Sequence, residues 1–401
     1  MSAIVVIGAG HAAGQTAASL RQENYEGEIV ILGDEPHPPY QRPQLSKKYL
    51  SGDITLEQVY LRPEKFYGDN NINLRTNSPV TNIDPLSKAV TVGNTETIIY
   101  EKLLIATGSR PRKLDLNGSD LKGIYYLRSI SDVDLISTAM KSAASVCIVG
   151  GGYLGLEVAA IAVTSGLQVT VLETEERILQ RVTTAEMSAF YHELHTSRGV
   201  KIHTQTACSG FEGEKQVERV LCGDRSFDAD LIIIGIGILP NTELAAESGL
   251  ACENGIVVDD HCLTSDPNIF AAGDCTNHPN PLLGRRLRLE SVQNAMDQAR
   301  TAAANMLGGD ISYAAIPWFW SDQYELKLQM VGFSSDGATQ VLRGNKSDNA
   351  FAVFYLDGGA VVAVDAVNSP REFMVARQLY GRQVDASQLA DTQFNLKDLL
   401  I

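Results

Sequence analysis

Two glycine-rich turns constrain this chain more than any other feature. Each follows an apolar run. The first is Ile4-Val5-Val6-Ile7-Gly8-Ala9-Gly10-His11-Ala12-Ala13; the second is Val146-Cys147-Ile148-Val149-Gly150-Gly151-Gly152-Tyr153-Leu154-Gly155. The first glycine of such a turn permits the sharp passage from strand to helix. The second lets a pyrophosphate reach backbone N–H groups. The third position, Ala13 or Gly155 here, lets helix and strand approach. The helix N-terminus then meets the diphosphate with its positive end. One such motif arises by chance. Two, each opening a strand–turn–helix pattern, imply two dinucleotide sites in one chain. A chain with two dinucleotides is suited to passing electrons between them.

At 401 residues the chain is too long for one core and suits two or three domains. Its net charge of -15 weighs against nucleic acid or an anionic membrane as the main partner, without excluding a local basic patch. No apolar run is long enough to span a bilayer. Met1-Ser2-Ala3 leads into a strand with no basic segment before it, so a cytoplasmic location is expected. The six cysteines, at 147, 208, 222, 252, 262 and 275, show no C-x-x-C spacing and no metal-ligand cluster. Free, mostly buried thiols are expected, and no metal site.

Hydrophobic patterning gives the order of elements. Residues 3–7 read as a buried parallel strand, 14–21 as a helix and 28–32 as a second strand ending at Asp34 and Glu35. A dinucleotide fold needs a carboxylate there for ribose hydroxyls. The proline-dense stretch 36–43 is a rigid loop. Residues 102–109 read as a strand ending in small residues. The second unit repeats the plan, with a strand at 168–172 that ends at Glu173. Strands at 230–234 and 268–274 and a helix at 289–307 follow. After Pro317 short alternating strands at 327–331, 351–355 and 360–364 point to an antiparallel sheet with helices. The expected class is α/β, with two Rossmann-like domains and a C-terminal α+β domain.

Several motifs occur in an order that resembles the FAD/NAD(P)-linked reductases of the glutathione-reductase type. These are the first glycine turn, Ala106-Thr107-Gly108, the second glycine turn, Gly235-Ile236-Gly237 with Pro240-Asn241, and Ala272-Gly273-Asp274. Pro39-Tyr40-Gln41-Arg42-Pro43-Gln44-Leu45-Ser46-Lys47 and Pro317-Trp318-Phe319-Trp320-Ser321-Asp322-Gln323-Tyr324 resemble, more closely, the NADH-linked ferredoxin reductases of bacterial oxygenase systems. Gln44 departs from that subgroup, which usually has a second proline there.

The resemblance implies an FAD-binding domain at 1–110 and 243–318, an NAD-binding domain at 111–242 and a C-terminal domain at 319–401. It implies non-covalent FAD held by Gly8, Gly10, Ala12, Ala13, Asp34 or Glu35, Arg42, Lys47, Val80, Ala106, Thr107, Gly108, Arg128, Asp274 and Val292. It implies NADH held by Gly150, Gly152, Tyr153, Leu154, Gly155, Glu157, Glu173, Arg181 and Gly235. Lys47 and Glu157 would form an ion pair at the flavin's reactive edge, and Trp320 would sit beside the isoalloxazine. Taken alone, Trp318 and Trp320 read equally as packing aromatics, Lys47 as a loop lysine and Glu157 as a helix-face charge. Relatives with thiol chemistry carry a cysteine soon after the first βαβ acid, and residues 36–50 have none. Electrons would therefore leave the flavin directly for a separate carrier, a 2Fe–2S ferredoxin, docked by Arg285, Arg286, Arg288 and Arg300. Rubredoxin reductases and redox-sensing proteins of the apoptosis-inducing-factor type share much of this pattern.

Glu173 makes the nucleotide preference testable, because a 2′-phosphate would meet a like charge there. NADH should be strongly preferred to NADPH. Glu173→Ala combined with a nearby added cation should narrow the ratio of the two kcat/KM values. Equal efficiencies in the unaltered protein would remove Glu173 from this role.

Overall fold

The computed structural model describes residues 3–401, and they fall into two compact units. The first comprises residues up to Arg42, Ile54–Arg110 and Ile238–Pro317; the second comprises Pro43–Asp53, Pro111–Gly237 and Trp318–Ile401.

In the first unit Ala3–Ile7 is the centre of a parallel sheet. It lies between Glu28–Leu32 and Glu96–Ile105, with Ile72–Arg75 and Ile269–Ala271 at the flanks. Every residue of Ala3–Ile7 is buried, as expected of a strand covered on both faces. The N-terminal half of Glu96–Ile105 pairs instead with Ala89–Val92, which pairs with Val80–Asp84 in an antiparallel meander. The first glycine helix, His11–Gln22, buries Ala12, Ala13, Ala17 and Ala18, and such small side chains let a second helix close over it. That helix is Val292–Met306, which buries Ala295, Ala299, Ala302 and Ala303 in the same core.

The second unit repeats the plan. A parallel sheet runs in the order Lys201–His203, Gln168–Leu172, Ser145–Val149, Leu231–Ile234 and Ile124–Tyr126, beside an antiparallel meander from Gly210 to Asp228. An antiparallel sheet completes the unit, in the order Trp318–Gln323, Leu326–Gly332, Ala360–Val367, Ala350–Asp357 and Thr339–Asn345. This sheet shares one core with residues 156–194: Leu156, Ile178, Met187 and Tyr191 pack with Leu328, Phe351, Val353 and Tyr355.

Among the pattern-based boundaries that shift, three do so for a plain backbone reason. The first helix begins at His11 rather than at residue 14, because Gly10, in extended conformation, is already its N-cap. The strand expected over 102–109 ends at Ile105, because Gly108 adopts φ +65°. The strand expected over 268–274 is confined to Ile269–Ala271, because Gly273 turns at φ +92°. Both meanders escaped the pattern because their strands are short and half exposed.

Three fully buried titratable groups set the acid response. Burial pushes His195 and His278 down to about 4 and pushes the Asp365 carboxyl up to about 6. Each histidine stays neutral in the folded protein while an unfolded chain protonates it below pH ~6.5, so acidification between ~6.5 and ~4 costs about 3 kcal/mol per histidine. Asp365 acts oppositely: the folded form takes up its proton first, which returns about 3 kcal/mol as pH falls from ~6 to ~4. The two histidines prevail, so the melting temperature should fall across this window. Neither ring nitrogen of His278 has a hydrogen-bond partner among the described residues. His278→Phe should therefore flatten the pH dependence; a variant with the unaltered slope would exclude His278 as its source.

Candidate functional site

The first glycine turn has the geometry a diphosphate requires. Gly8 adopts φ +102°, and a Cβ there would lie 2.3 Å from the Ala106 carbonyl oxygen. Only glycine fits between these two strand ends. A Cβ at Gly10, by contrast, would meet nothing within 4 Å. Open space thus lies beside the start of His11–Gln22, a helix with no side-chain cap and no acid in its first turn. Such an N-terminus favours an anion. The turns around it close the site. Thr107 donates its hydroxyl to the Asn241 carbonyl at 2.7 Å, and Asn241 returns a bond to the Thr107 carbonyl at 2.9 Å. Ser109 donates to Asp274 Oδ2 at 2.8 Å. The Gly273 N–H donates to Gln298 Oε1 at 2.8 Å, and a Cβ at Gly273 would sit 3.6 Å from Ala12 and 3.7 Å from Ala295, one turn into the helix that Val292 begins. Gly8, Gly10, Ala12, Ala13, Ala106, Thr107, Gly108, Asp274 and Val292 therefore gather at the carboxyl ends of one parallel sheet, where open α/β sheets take ligands.

The acids after the second strand are arranged differently from each other. Asp34 is exposed. Glu35 accepts from Arg42 Nη2 at 2.6 Å and from the Tyr40 hydroxyl at 2.6 Å. Burial opposes its ionisation, but Arg42 and then Tyr40 outweigh it and hold the carboxyl below its usual range. Both oxygens of Glu35 are thus engaged within the protein, while Asp34 faces solvent. Val80 stands at a bulge that opens the strand Val80–Asp84. The Ser78 N–H, just before it, bonds the Gly33 carbonyl at 2.7 Å, which ties this strand start to the same turn.

The second glycine turn repeats the first. Gly150 has φ +114°, and a Cβ there would lie 2.4 Å from the Gly235 carbonyl oxygen. A Cβ at Gly155 would lie 2.1 Å from the Gly150 carbonyl, and one at Gly152 would meet nothing within 4 Å. The helix Tyr153–Thr164 has no side-chain cap and no acid in its first turn. Glu173 bends back onto the turn: Oε2 accepts from the Gly151 N–H at 2.7 Å and Oε1 from the Glu175 N–H at 2.9 Å. Arg181 is exposed, with a guanidinium nitrogen 3.9 Å from the Cβ position of Gly237. Leu154 lies over Gly235, 3.4 Å from its Cβ position. Tyr153 donates its hydroxyl to Met330 Sδ at 2.7 Å and packs on Phe319, leaving its backbone in the first helical turn to a nucleotide.

Lys47 and Glu157, far apart in sequence, form an ion pair at 2.7 Å with both side chains almost fully enclosed. Neither is the loop lysine or the helix-face charge that each resembles in isolation. Two further donors saturate the carboxylate. Ser46 donates to Oε2, and Ser321 donates to Oε1 at 2.6 Å. Sequence reasoning did not assign these serines a role. The strand Trp318–Gln323 turns Ser321 and Gln323 inward, both buried, whereas Trp318, Trp320 and Asp322 are half exposed. Arg128 is also half buried, and its N–H bonds Asp132 Oδ2 at 3.0 Å beside the next helix start.

Trp318 and Trp320 are not core residues. Their rings lie 5.7 Å apart, and the Arg377 guanidinium stands 5.5 Å from Trp318. The basic run is weaker than its sequence suggests. Arg286 bonds the Val258 carbonyl at 2.7 Å, Arg288 pairs with Glu290, and Arg300 pairs with Asp297 at 2.5 Å. Two of these four positive charges are thus offset locally, and a third is tied to the backbone. All six cysteines are free, and four are buried.

The two kinds of glycine separate in a mutational test. Gly152→Ala should fold normally but bind NADH at least about tenfold more weakly, because its methyl occupies ligand space (about 1.4 kcal/mol). Gly155→Ala should lower the melting temperature itself, since backbone must move. Gly10→Ala should purify with depleted flavin. Unchanged NADH affinity in Gly152→Ala would exclude pyrophosphate from that space.

Residues 2–299 match the pyridine nucleotide-disulphide oxidoreductase family, and residues 318–400 match the reductase C-terminal family. The chain is 41% identical over 399 residues to rhodocoxin reductase of Rhodococcus erythropolis, covering 98% of this chain and 93% of that protein. It is 41% identical over 402 residues to the ferredoxin–NAD(+) reductase component of the anthranilate 1,2-dioxygenase system of Burkholderia cepacia, covering 99% and 98%. The crystal structure of a covalent putidaredoxin reductase–putidaredoxin complex superposes with a TM-score of 0.95 at 41% identity, over 100% of this chain and 98% of that one. With two nucleotide turns of matching geometry and a C-terminal sheet in the expected place, the chain belongs to the pyridine nucleotide-disulphide oxidoreductase family, in the branch that carries a reductase C-terminal domain.

Proposed function

We propose that the chain is an NADH-dependent ferredoxin reductase, carrying electrons from NADH through non-covalent FAD to a small 2Fe–2S protein that feeds an oxygenase. One observation carries this reading: both glycine turns are built for nucleotides, yet no thiol is placed to relay electrons. Residues 36–50 contain no cysteine. Cys275 follows Asp274, but it is fully buried, and burial pushes its thiol up to about 11. A protonated, enclosed thiol is a poor nucleophile and redox relay. Bound FAD supplies the conversion of a hydride, two electrons at once, into single-electron release.

The protein's own residues bind and tune. The first glycine turn, Thr107 and Asp274 hold FAD, with Asp34, Arg42, Val80 and Arg128 as further contacts; the second turn, Glu173 and Arg181 hold NADH. Lys47 places a cation at the reactive edge, where it offsets negative charge that develops on reduction. Glu157, Ser46 and Ser321 keep that cation in place. Trp320, half exposed, lies on the exit route. The domain boundaries implied by the resemblance belong to the same proposal, as does a cytoplasmic location; among the described residues no helix is long and apolar enough to cross a membrane. Since Arg286, Arg288 and Arg300 are engaged within the protein, acceptor docking draws on the half-exposed surface around Trp320.

NADH-dependent reduction should be measured against a panel of ferredoxins and rubredoxins. Rapid turnover with a ferredoxin is expected. Exclusive turnover with a rubredoxin, or a long-lived reduced complex with no competent carrier, would replace this assignment. Lys47→Ala should slow flavin reduction by NADH at least about tenfold in stopped flow, the effect of removing one electrostatic stabiliser.

A further inference from the structure

Glu157 is the end of a buried chain of hydrogen bonds whose direction can be deduced. Its carboxylate pairs with Lys47, so Ser321 must donate its single hydroxyl proton to Oε1, at 2.6 Å. The Ser321 oxygen is then an acceptor, which turns the Gln323 amide nitrogen toward it, at 3.2 Å. Gln323 Oε1 therefore faces His195 and can only accept, so Nε2 of His195 carries the proton, at 2.8 Å. Burial keeps this imidazole neutral, with its pKa lowered to about 4. Nδ1 is left as the acceptor for the Tyr324 hydroxyl, at 3.0 Å.

Ser321, Gln323 and His195 are all buried to within 1%. Tyr324 closes the chain from a backbone conformation that few non-glycine residues adopt, φ +57°. It is held there by His195 on one side and by the Arg198 guanidinium, 4.1 Å from its ring, on the other. Arg198 in turn pairs with Glu325. Every donor from Tyr324 inward points toward Glu157. Hydrogen bonds aligned in this way polarise one another and strengthen the last of them.

We propose that Ser321, Gln323 and His195 are positioning residues: a one-directional chain from Tyr324 fixes the Glu157 carboxylate and thereby aims the Lys47 ammonium. This rests on the assignment of Lys47 and Glu157 to the flavin's reactive edge. Without the chain, Oε1 loses its donor, the carboxylate draws more fully on Lys47, and less positive charge remains for the reduced flavin.

The test uses the FAD-loaded protein. Nitrogen NMR near neutral pH should find His195 in the neutral Nε2–H form; the Nδ1–H form would overturn the deduced direction. Gln323→Leu should slow flavin reduction by NADH about three- to tenfold, the worth of one hydrogen bond. It should also lower the flavin midpoint potential while leaving NADH affinity unchanged. Ser321→Ala carries the same expectation if the leucine variant does not fold. His195→Phe should reproduce the loss, and His195→Gln, which keeps a donor toward Gln323, should recover most of it. Purely structural residues would shift melting temperature without moving the potential. If Lys47→Ala slows reduction while Gln323→Leu and Ser321→Ala do not, the chain is overturned and the Lys47 assignment stands. If Lys47→Ala has no effect, that assignment falls and the proposal falls with it.

Discussion

Two strand ends in each unit come closer than any side chain allows. Gly8 lies against the Ala106 carbonyl and Gly150 against the Gly235 carbonyl, with room for a hydrogen atom and not for a methyl group. The rest of each site follows from this contact. It sets the angle at which the helix leaves the sheet and leaves the helix N-terminus uncapped. It also brings the next crossover turn, Ala106–Gly108 or Gly235–Gly237, to the same edge. Binding geometry here is dictated by backbone, and the side chains refine it.

Charge in the second unit is handled by saturation. Glu157 is almost fully enclosed, and an isolated carboxylate there would cost several kcal/mol. It is held by one cation and two hydroxyls from two separate stretches of chain, Ser46-Lys47 and the strand that carries Ser321. Asp365 shows the alternative. It has two hydroxyl donors, Thr183 and Tyr355, and its carboxyl is pushed up by burial toward the neutral form. The difference lies in the partners: Glu157 has the Lys47 ammonium beside it, whereas Asp365 has hydroxyl donors alone.

The parallel sheets, both glycine turns and the C-terminal strands were legible because each has a strong local signature: apolar runs, glycines at fixed offsets, alternation after Pro317. The Lys47–Glu157 pair came from resemblance, since nothing local in Lys47-Lys48 or Leu156-Glu157-Val158 marks a partner far away in sequence. Ser46, Ser321, Gln323 and His195 stayed hidden for the same reason. Serine and glutamine in a strand carry no signal until tertiary packing encloses them. The basic run misled in the opposite direction. Arg285, Arg286 and Arg288 are close in sequence and Arg300 follows in the next helix, but Glu290, Asp297 and the Val258 carbonyl, which engage three of the four, are visible as partners only in the fold.

The helix Val292–Met306 covers the helix His11–Gln22, so the first unit lacks part of its core until the chain has been made beyond residue 306. During synthesis the opening βαβ segment must wait for the whole second nucleotide fold to emerge. At about 5–20 residues per second that interval is roughly 15–55 s. The apolar face of His11–Gln22 is incomplete throughout it. The chain's order of manufacture thus leaves its N-terminal nucleotide fold unfinished until most of the protein exists, and the interval in which flavin can be taken up stably opens only then.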